Sequence, residues 1–335
     1  MIGSFLRKYG TITATALVCL ALYLLAGSLY DNFFRPGVLV GFFRDNAFLG
    51  ICAIGVTFVI LTGGIDLSVG AMVGCSSIII ATLIGEAHWH PIPAIVIALL
   101  FGTALGAFMG ALIHFYALPP FIVTLAGMFL ARGLGFVVHQ ESLSIDHPFY
   151  ESMRRIPENL LNICGLSDSA ALSVSRYIPL TGLIFLAVLA VGIYIAHWTR
   201  FGRNIYAVGG SEESALLMGL PVGRTKIQVY ALSGFCSALA GAVFTLYMGS
   251  GNATAGTMLE LDAIAAAVIG GTLLSGGVGY VAGTLFGVLI FGIIQTAIAF
   301  DGRLSSWWTR IAIGFLLLAF ILFQRLLQKV MGEKR

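Results

Sequence analysis

Few side chains in this sequence can do chemistry, and the most conspicuous is Asp66, set in Thr62-Gly-Gly-Ile-Asp-Leu-Ser-Val-Gly70 between two long apolar stretches. A carboxylate at membrane depth, or at a break in a helix, is costly to keep charged and marks a functional position. It can be a polar element of a translocation path or can hold the half-helix that begins near Ser68; the plainer alternative is a turn residue at the membrane surface. The run has a counterpart, because residues 62–74 align without gaps on residues 275–287: a hydroxyl, a Gly-Gly pair and two later glycines coincide. Paired glycine-interrupted apolar segments point to a transport pathway built from broken helices at a repeat interface. The candidate pathway groups are therefore Asn46, Thr62, Gly63, Gly64, Asp66, Ser68, Ser275, Gly276 and Gly277. The counterpart of Asp66 is Gly279, which argues against a relay of paired carboxylates.

Other chemistries lack their residues. None of the four lysines follows a glycine, so no phosphate-cradling loop ends in Gly-Lys, and the chain cannot bind ATP in that way. His88 and His90 flank Trp89 ahead of Pro91, a pattern of an interfacial turn rather than of metal ligands. Cys19, Cys52, Cys75 and Cys236 lie in apolar runs, and Cys164 stands in a polar loop without a partner, so neither a disulfide framework nor a metal site is expected. No nucleophile elbow or His-Glu-x-x-His pair occurs; the chain reads as no enzyme, with no cofactor.

The elements that must position these residues are membrane helices. Of 335 residues, 59% are hydrophobic and 10% charged, and the mean hydropathy of +0.98 excludes a soluble globule of this size. About 20 apolar residues cross a bilayer as a helix. That ruler predicts an all-α membrane protein, a single transmembrane domain over 1–335, with about ten transmembrane helices, at 11–30, 47–62, 68–84, 92–114, 121–138, 178–198, 227–248, 262–274, 281–300 and 307–323. The second, third, eighth and ninth are expected to be short or glycine-broken, and the two matched runs to form an internal structural repeat. Arg7 and Lys8 precede a first span too long for a cleaved signal core, and it is read as an anchor.

Basic residues concentrate in the segments that face the cytoplasm if both termini lie inside. They are otherwise spread as topology requires, and no nucleic-acid face is formed. Arg132 and Arg310, inside the fifth and tenth spans, can snorkel and are read as structural residues near an interface. Gly102, Gly106 and Gly110 form a small-residue stripe expected at a tight helix contact. An outer loop, 140–177, carries a helix-like stretch near 148–161. The cytoplasmic loop 199–226 holds a short helix: Ser211 as cap, Glu212 and Glu213 in the first turn, apolar Leu216, Leu217 and Met218, then Gly219 as stop. A short helix presenting apolar side chains to the cytosol has surface to cover, which suggests docking to a soluble partner.

Three blocks in order, at 60–70, 209–219 and 261–279, resemble the ribose/xylose/galactose-type permeases of bacterial ATP-binding-cassette (ABC) importers over nearly the whole chain. Within that family, residues 45–50, 122–129 and 300–309 are similar to the permeases of galactofuranose importers. The resemblance implies a bacterial inner-membrane permease that imports a monosaccharide by alternating access. It also implies a cytoplasmic ABC ATPase docked on Ser211–Gly219, a second and homologous permease chain, a periplasmic sugar-binding protein and surrounding lipid. The alternative is a secondary sugar transporter driven by an ion gradient, which needs a relay of membrane ionisable groups.

Overall fold

The computed structural model describes residues 2–157, 179–305 and 307–330. Cys164 and the remainder of the 140–177 loop beyond residue 157 lie outside the described residues. Among the described residues nearly all regular structure is helical. In order the helices are α1 Ile2–Leu29, α2 Pro36–Asp45, α3 Ala47–Leu61, α4 Val69–Gly85, α5 Pro91–Phe115, α6 Pro120–Val138, α7 Pro148–Arg154, α8 Leu180–Trp198, α9 Arg200–Gly210, α10 Glu212–Leu217, α11 Val222–Met248, α12 Leu259–Ile269, α13 Val281–Asp301 and α14 Trp307–Val330. Proline opens α2, α5, α6 and α7, where its missing N–H is no loss.

Six of these helices (α1, α5, α6, α8, α11 and α13) are long and apolar enough to cross a membrane. The pair α2 and α3, bent by 53° at Asn46, is apolar enough to count as a seventh if taken as one span, and α4 and α14 are shorter apolar helices. With the eleven-residue α12, every one of the ten expected spans coincides with a helix. The ninth differs from expectation: α13 is unbroken over 21 residues. Its glycines serve close approach instead. Gly283 faces the Gly270 carbonyl, Gly287 the Ala266 carbonyl, and Gly292 the Asn46 and Phe42 side chains.

The centre of the bundle is α3, whose residues are buried on every side, as a helix apolar all round requires. It is enclosed by α11, α12, α8 and α13. The closest helix pair is α5 with α11, and the small-residue stripe makes it. A Cβ on Gly102 would stand 2.7 Å from the Gly234 carbonyl oxygen, one on Gly110 2.9 Å from the Ile227 Cα, and Gly106 faces the Tyr230 carbonyl directly. Two backbones touch there because no side chain separates them.

At the end of the bundle opposite α9 and α10, β1 Leu143–Ser144 pairs antiparallel with β2 Ser250–Gly251. Ile145 N–H donates to the Gly249 carbonyl at 2.8 Å, and the Tyr150 and Thr245 hydroxyls bond at 2.9 Å. From β2 the chain runs without helix to Met258, then enters α12. Arg132 of α6 pins that stretch, its Nη1 lying 3.2 Å from the Ala253 and Ala255 carbonyls and from Thr257 Oγ1.

The glycine stripe yields a paired prediction. Gly106→Val is expected to cost several kcal/mol, beyond the usual ~1–3 for an overpacked site, because backbone must move. Gly133→Val, with open space around its Cα, should be neutral or slightly stabilising. Thermal unfolding of the detergent-purified protein reads both; equal midpoints would refute the backbone contact.

Candidate functional site

The first matched run breaks the chain between α3 and α4. Leu61 ends α3, Thr62 Oγ1 folds back to the Val59 carbonyl at 2.8 Å, and Gly63 turns the chain at φ +80°. The exposed backbone of the break is then satisfied from other helices. The Ile65 carbonyl accepts from Thr124 Oγ1 of α6 at 3.3 Å and from Tyr230 Oη of α11 at 3.4 Å.

Asp66 is fully buried here, which excludes a turn at the surface. Its Oδ1 accepts from Ser68 N at 2.9 Å and Ser68 Oγ at 2.6 Å; its Oδ2 accepts from Ser233 Oγ of α11 at 2.7 Å. Among the described residues no cation is paired with it. Three donors around one carboxylate hold the residue before α4 against α11, so the group fixes the start of that helix from outside it.

The second matched run begins in the link between α12 and α13. That link carries left-handed glycines: Gly271 at φ +96°, Gly276 at +81° and Gly277 at +74°. Gly277 N donates to the Leu61 carbonyl at 2.9 Å, so the end of α3 is capped from the second matched run. A Cβ on Gly276 would lie 2.7 Å from Gly63 N, and one on Gly277 2.7 Å from Gly210 N. Nearby, Thr57 of α3 and Thr284 of α13 share a buried hydroxyl pair at 2.8 Å.

The third strand of this joint is the end of α9. Gly209 sits directly on the Leu61 carbonyl and on Gly277 N. Tyr206 of α9 donates from Oη to the Gly279 carbonyl at 2.9 Å; burial pushes its phenol up to about 12, so it remains a donor at neutral pH. One residue beyond Gly210 the chain enters α10. Ser211 caps it, accepting from Ser214 N at 3.2 Å, and Gly219 at φ +75° turns the chain away after it. Glu212 is tied to Lys226 of α11 at 2.6 Å. Glu213 stands exposed in the first turn, and Leu216, Leu217 and Met218 are 65%, 83% and 67% exposed.

The structure thus brings Gly63 against Ser275 and Gly276, and the end of α3 against Gly277, joins both to the segment that leads into Ser211–Gly219, and sets Asp66 and Ser68 against Ser233 of α11. Asn46 is not among them. It lies buried at the bend, donating Nδ2 to the Phe42 carbonyl at 3.1 Å, the length of α3 or about 22 Å away. Sequence reasoning missed Gly209 and Gly210 as contact residues, and Tyr206 and Ser233 as anchors. Arg310, read above as a structural residue near an interface, faces Asp262 Oδ1 of α12 with its Nη1 at 3.9 Å.

Comparison with known proteins follows this geometry. The family described as branched-chain amino acid transport system / permease component matches residues 38–321. The inner membrane ABC transporter permease protein YjfF of Escherichia coli is 49% identical over 303 residues, 90% of this chain and 88% of that protein. The fructose import permease protein FruG of Bifidobacterium longum is 38% identical over 324 residues, 96% of this chain and 93% of its own length. The ribose import permease protein RbsC of Bacillus subtilis is 37% identical over 307 residues, covering 91% and 89%. No solved structure matches the chain.

The Asp66 cluster carries its own prediction. Asp66→Ala leaves the hydroxyls of Ser68 and Ser233 and the Ser68 N–H without their buried acceptor, at a cost of about 2–4 kcal/mol, whereas Ser233→Ala costs about 1–2. The double variant should cost less than the sum by about 1 kcal/mol, read from thermal unfolding in detergent. Strict additivity would show that the two residues do not interact.

Proposed function

The chain belongs to the permease-component family matched above, and on that premise we propose that it is the membrane-spanning subunit of an ABC importer for a monosaccharide. The observation that carries this reading is the continuity of the joint with an exposed apolar helix. Ser211–Gly219 projects Leu216, Leu217 and Met218 away from the bundle, an arrangement suited to a socket on a cytoplasmic ATPase. Behind it, Gly209 and Gly210 rest on both helix breaks. A displacement of α10 reaches Leu61, Gly63 and Gly277 through backbone alone.

In this reading the end bearing α9 and α10 is cytoplasmic, both termini lie on the cytoplasmic side of the bacterial inner membrane, and the β1–β2 end receives a periplasmic sugar-binding protein. A second, homologous permease chain completes the pore. ATP hydrolysis occurs in the partner; this chain converts movement of α10 into reorientation of the broken segments, giving alternating access. Thr62–Gly64, Ser68 and Ser275–Gly277 act as the moving joint, and Asp66 as its fastening.

A sugar fits better than an amino acid as cargo, although the family's description mentions the latter. The similar permeases above are named for fructose and ribose import. A zwitterion asks for a charge clamp, and the buried carboxylate of the joint is already engaged by three protein donors. The same engagement disfavours an ion-gradient relay through Asp66. Within the sugars we assign galactofuranose or a related furanose, on the blocks at 45–50, 122–129 and 300–309.

Uptake into proteoliposomes holding this chain, its partner permease, the ATPase and the binding protein tests the reading. Uptake should require ATP and the binding protein, and an imposed proton or sodium gradient should not replace ATP. Uptake by this chain alone on a gradient would overturn it. Glu213→Arg, which reverses an exposed charge, and Gly219→Val, which places a branched residue at φ +75°, should each lower ATP-coupled uptake by about tenfold or more while insertion is retained. Normal coupled uptake in both would remove α10 from the ATPase interface.

A further inference from the structure

Away from the joint, a cavity of about 510 Å³ lies between α12, α13 and α14. Its volume falls within the roughly 300–1,000 Å³ of small-molecule sites. Its walls include Asp262 at the first turn of α12, Gln295 of α13, and Trp307, Thr309 and Arg310 of α14; its rim is the turn at Gly302. That turn lies at the end of the bundle away from α9 and α10.

The depth of the cavity follows from helix geometry. Gly287 rests on the Ala266 carbonyl, and α12 and α13 run antiparallel, since Gly283 likewise meets Gly270. At 1.5 Å per residue, Gly287 is about 21 Å below the end of α13, which puts Asp262 about 15 Å below it, half the thickness of a bilayer core. Asp262 at that depth with its partner Arg310, and the Gln295 amide about 9 Å below the end of α13 by the same rise, do not face lipid tails, because hydrocarbon cannot satisfy them. The non-helical stretch at 252–258, which leads down to α12 with Thr254, Thr257 and Met258 exposed, carries the same implication.

The polar groups are also free to act. Asp262 Oδ1 and Arg310 Nη1 stand 3.9 Å apart, too far for a hydrogen bond and close enough for one hydroxyl to bridge, donating to the carboxylate and accepting from the guanidinium. Gln295 is exposed on this wall with no hydrogen bond to a described residue, and its amide can both donate and accept. Trp307, 71% exposed, offers an apolar ring beside them. Hydroxyls that donate and accept together, next to a C–H face, are the chemistry of a neutral sugar.

We propose that this cavity is the mid-membrane sugar site of the permease, open to the side that receives the substrate, with a sugar hydroxyl bridging Asp262 and Arg310. The proposal rests on the importer reading for its substrate class; it places the cargo away from Thr62–Ser68 and Ser275–Gly277, which act as the joint.

The test uses the assembled importer in proteoliposomes with Cys164→Ser, the other four cysteines being buried. Ala299→Cys, and separately Ile298→Cys, places a thiol on the cavity wall. A charged, membrane-impermeant thiol reagent should modify both from the receiving side. Binding protein loaded with galactose, ribose or fructose should slow modification about tenfold for the transported sugar. Gln295→Leu, which removes hydrogen bonds worth about a factor of ten, should abolish that protection and lower uptake about tenfold at equal complex assembly. No modification at either cysteine in a complex that transports would mean that lipid or the second chain covers the cavity, and would overturn the proposal. Modification without sugar protection, with Gln295→Leu and Trp307→Ala both transporting normally, would overturn it equally. Failure of ATP-driven uptake in the unmodified assembly would instead defeat the importer reading, and protection by free sugar at the two cysteines would then decide the cavity by itself.

Discussion

A helix that stops inside an apolar bundle leaves carbonyls and amides that no water can reach, and each must find a protein partner or cost several kcal/mol. The break after α3 meets this demand almost wholly from elsewhere in the chain. The Leu61 carbonyl takes its proton from Gly277, the Ile65 carbonyl from Thr124 and Tyr230, and Asp66 gathers Ser233 besides its neighbour Ser68. The break therefore exists only when α6, α11 and the α12–α13 link are already packed around it. Its stability is tertiary, and so is its geometry.

Glycine serves two ends in this arrangement. Gly63, Gly276 and Gly277 supply left-handed turns that other residues adopt at a cost, and they let three backbones approach to contact distance. A joint made of backbone has no side chains to rearrange before it moves. Along α5 and α11 the same residue does the opposite, locking two regular helices face to face. The difference lies in φ: helical at Gly102, Gly106 and Gly110, left-handed at the joint.

The sequence made some of this plain. Ten apolar runs fall on helices because a bilayer-length run is a one-dimensional signal, and Ser211 with Gly219 marks a short helix because both caps act within a few residues. The bend at Asn46 was hidden by the polar Arg44-Asp45 that interrupts the apolar run. Counting glycines misread α13 as broken, since a glycine used for packing and one used for turning look alike in a sequence. Ser233 was invisible as the partner of Asp66, 167 residues away, and Gly209 and Gly210 read only as the lead into a helix.

The joint between α3, α9 and the α12–α13 link also bears on how such a chain can vary by descent. Where a Cβ at Gly276 or Gly277 would collide with backbone nitrogen, single-residue drift has no tolerable intermediate. Refinement of the movement must then be inherited through the lengths and tilts of the flanking helices, while cargo preference is left to change on walls built of side chains.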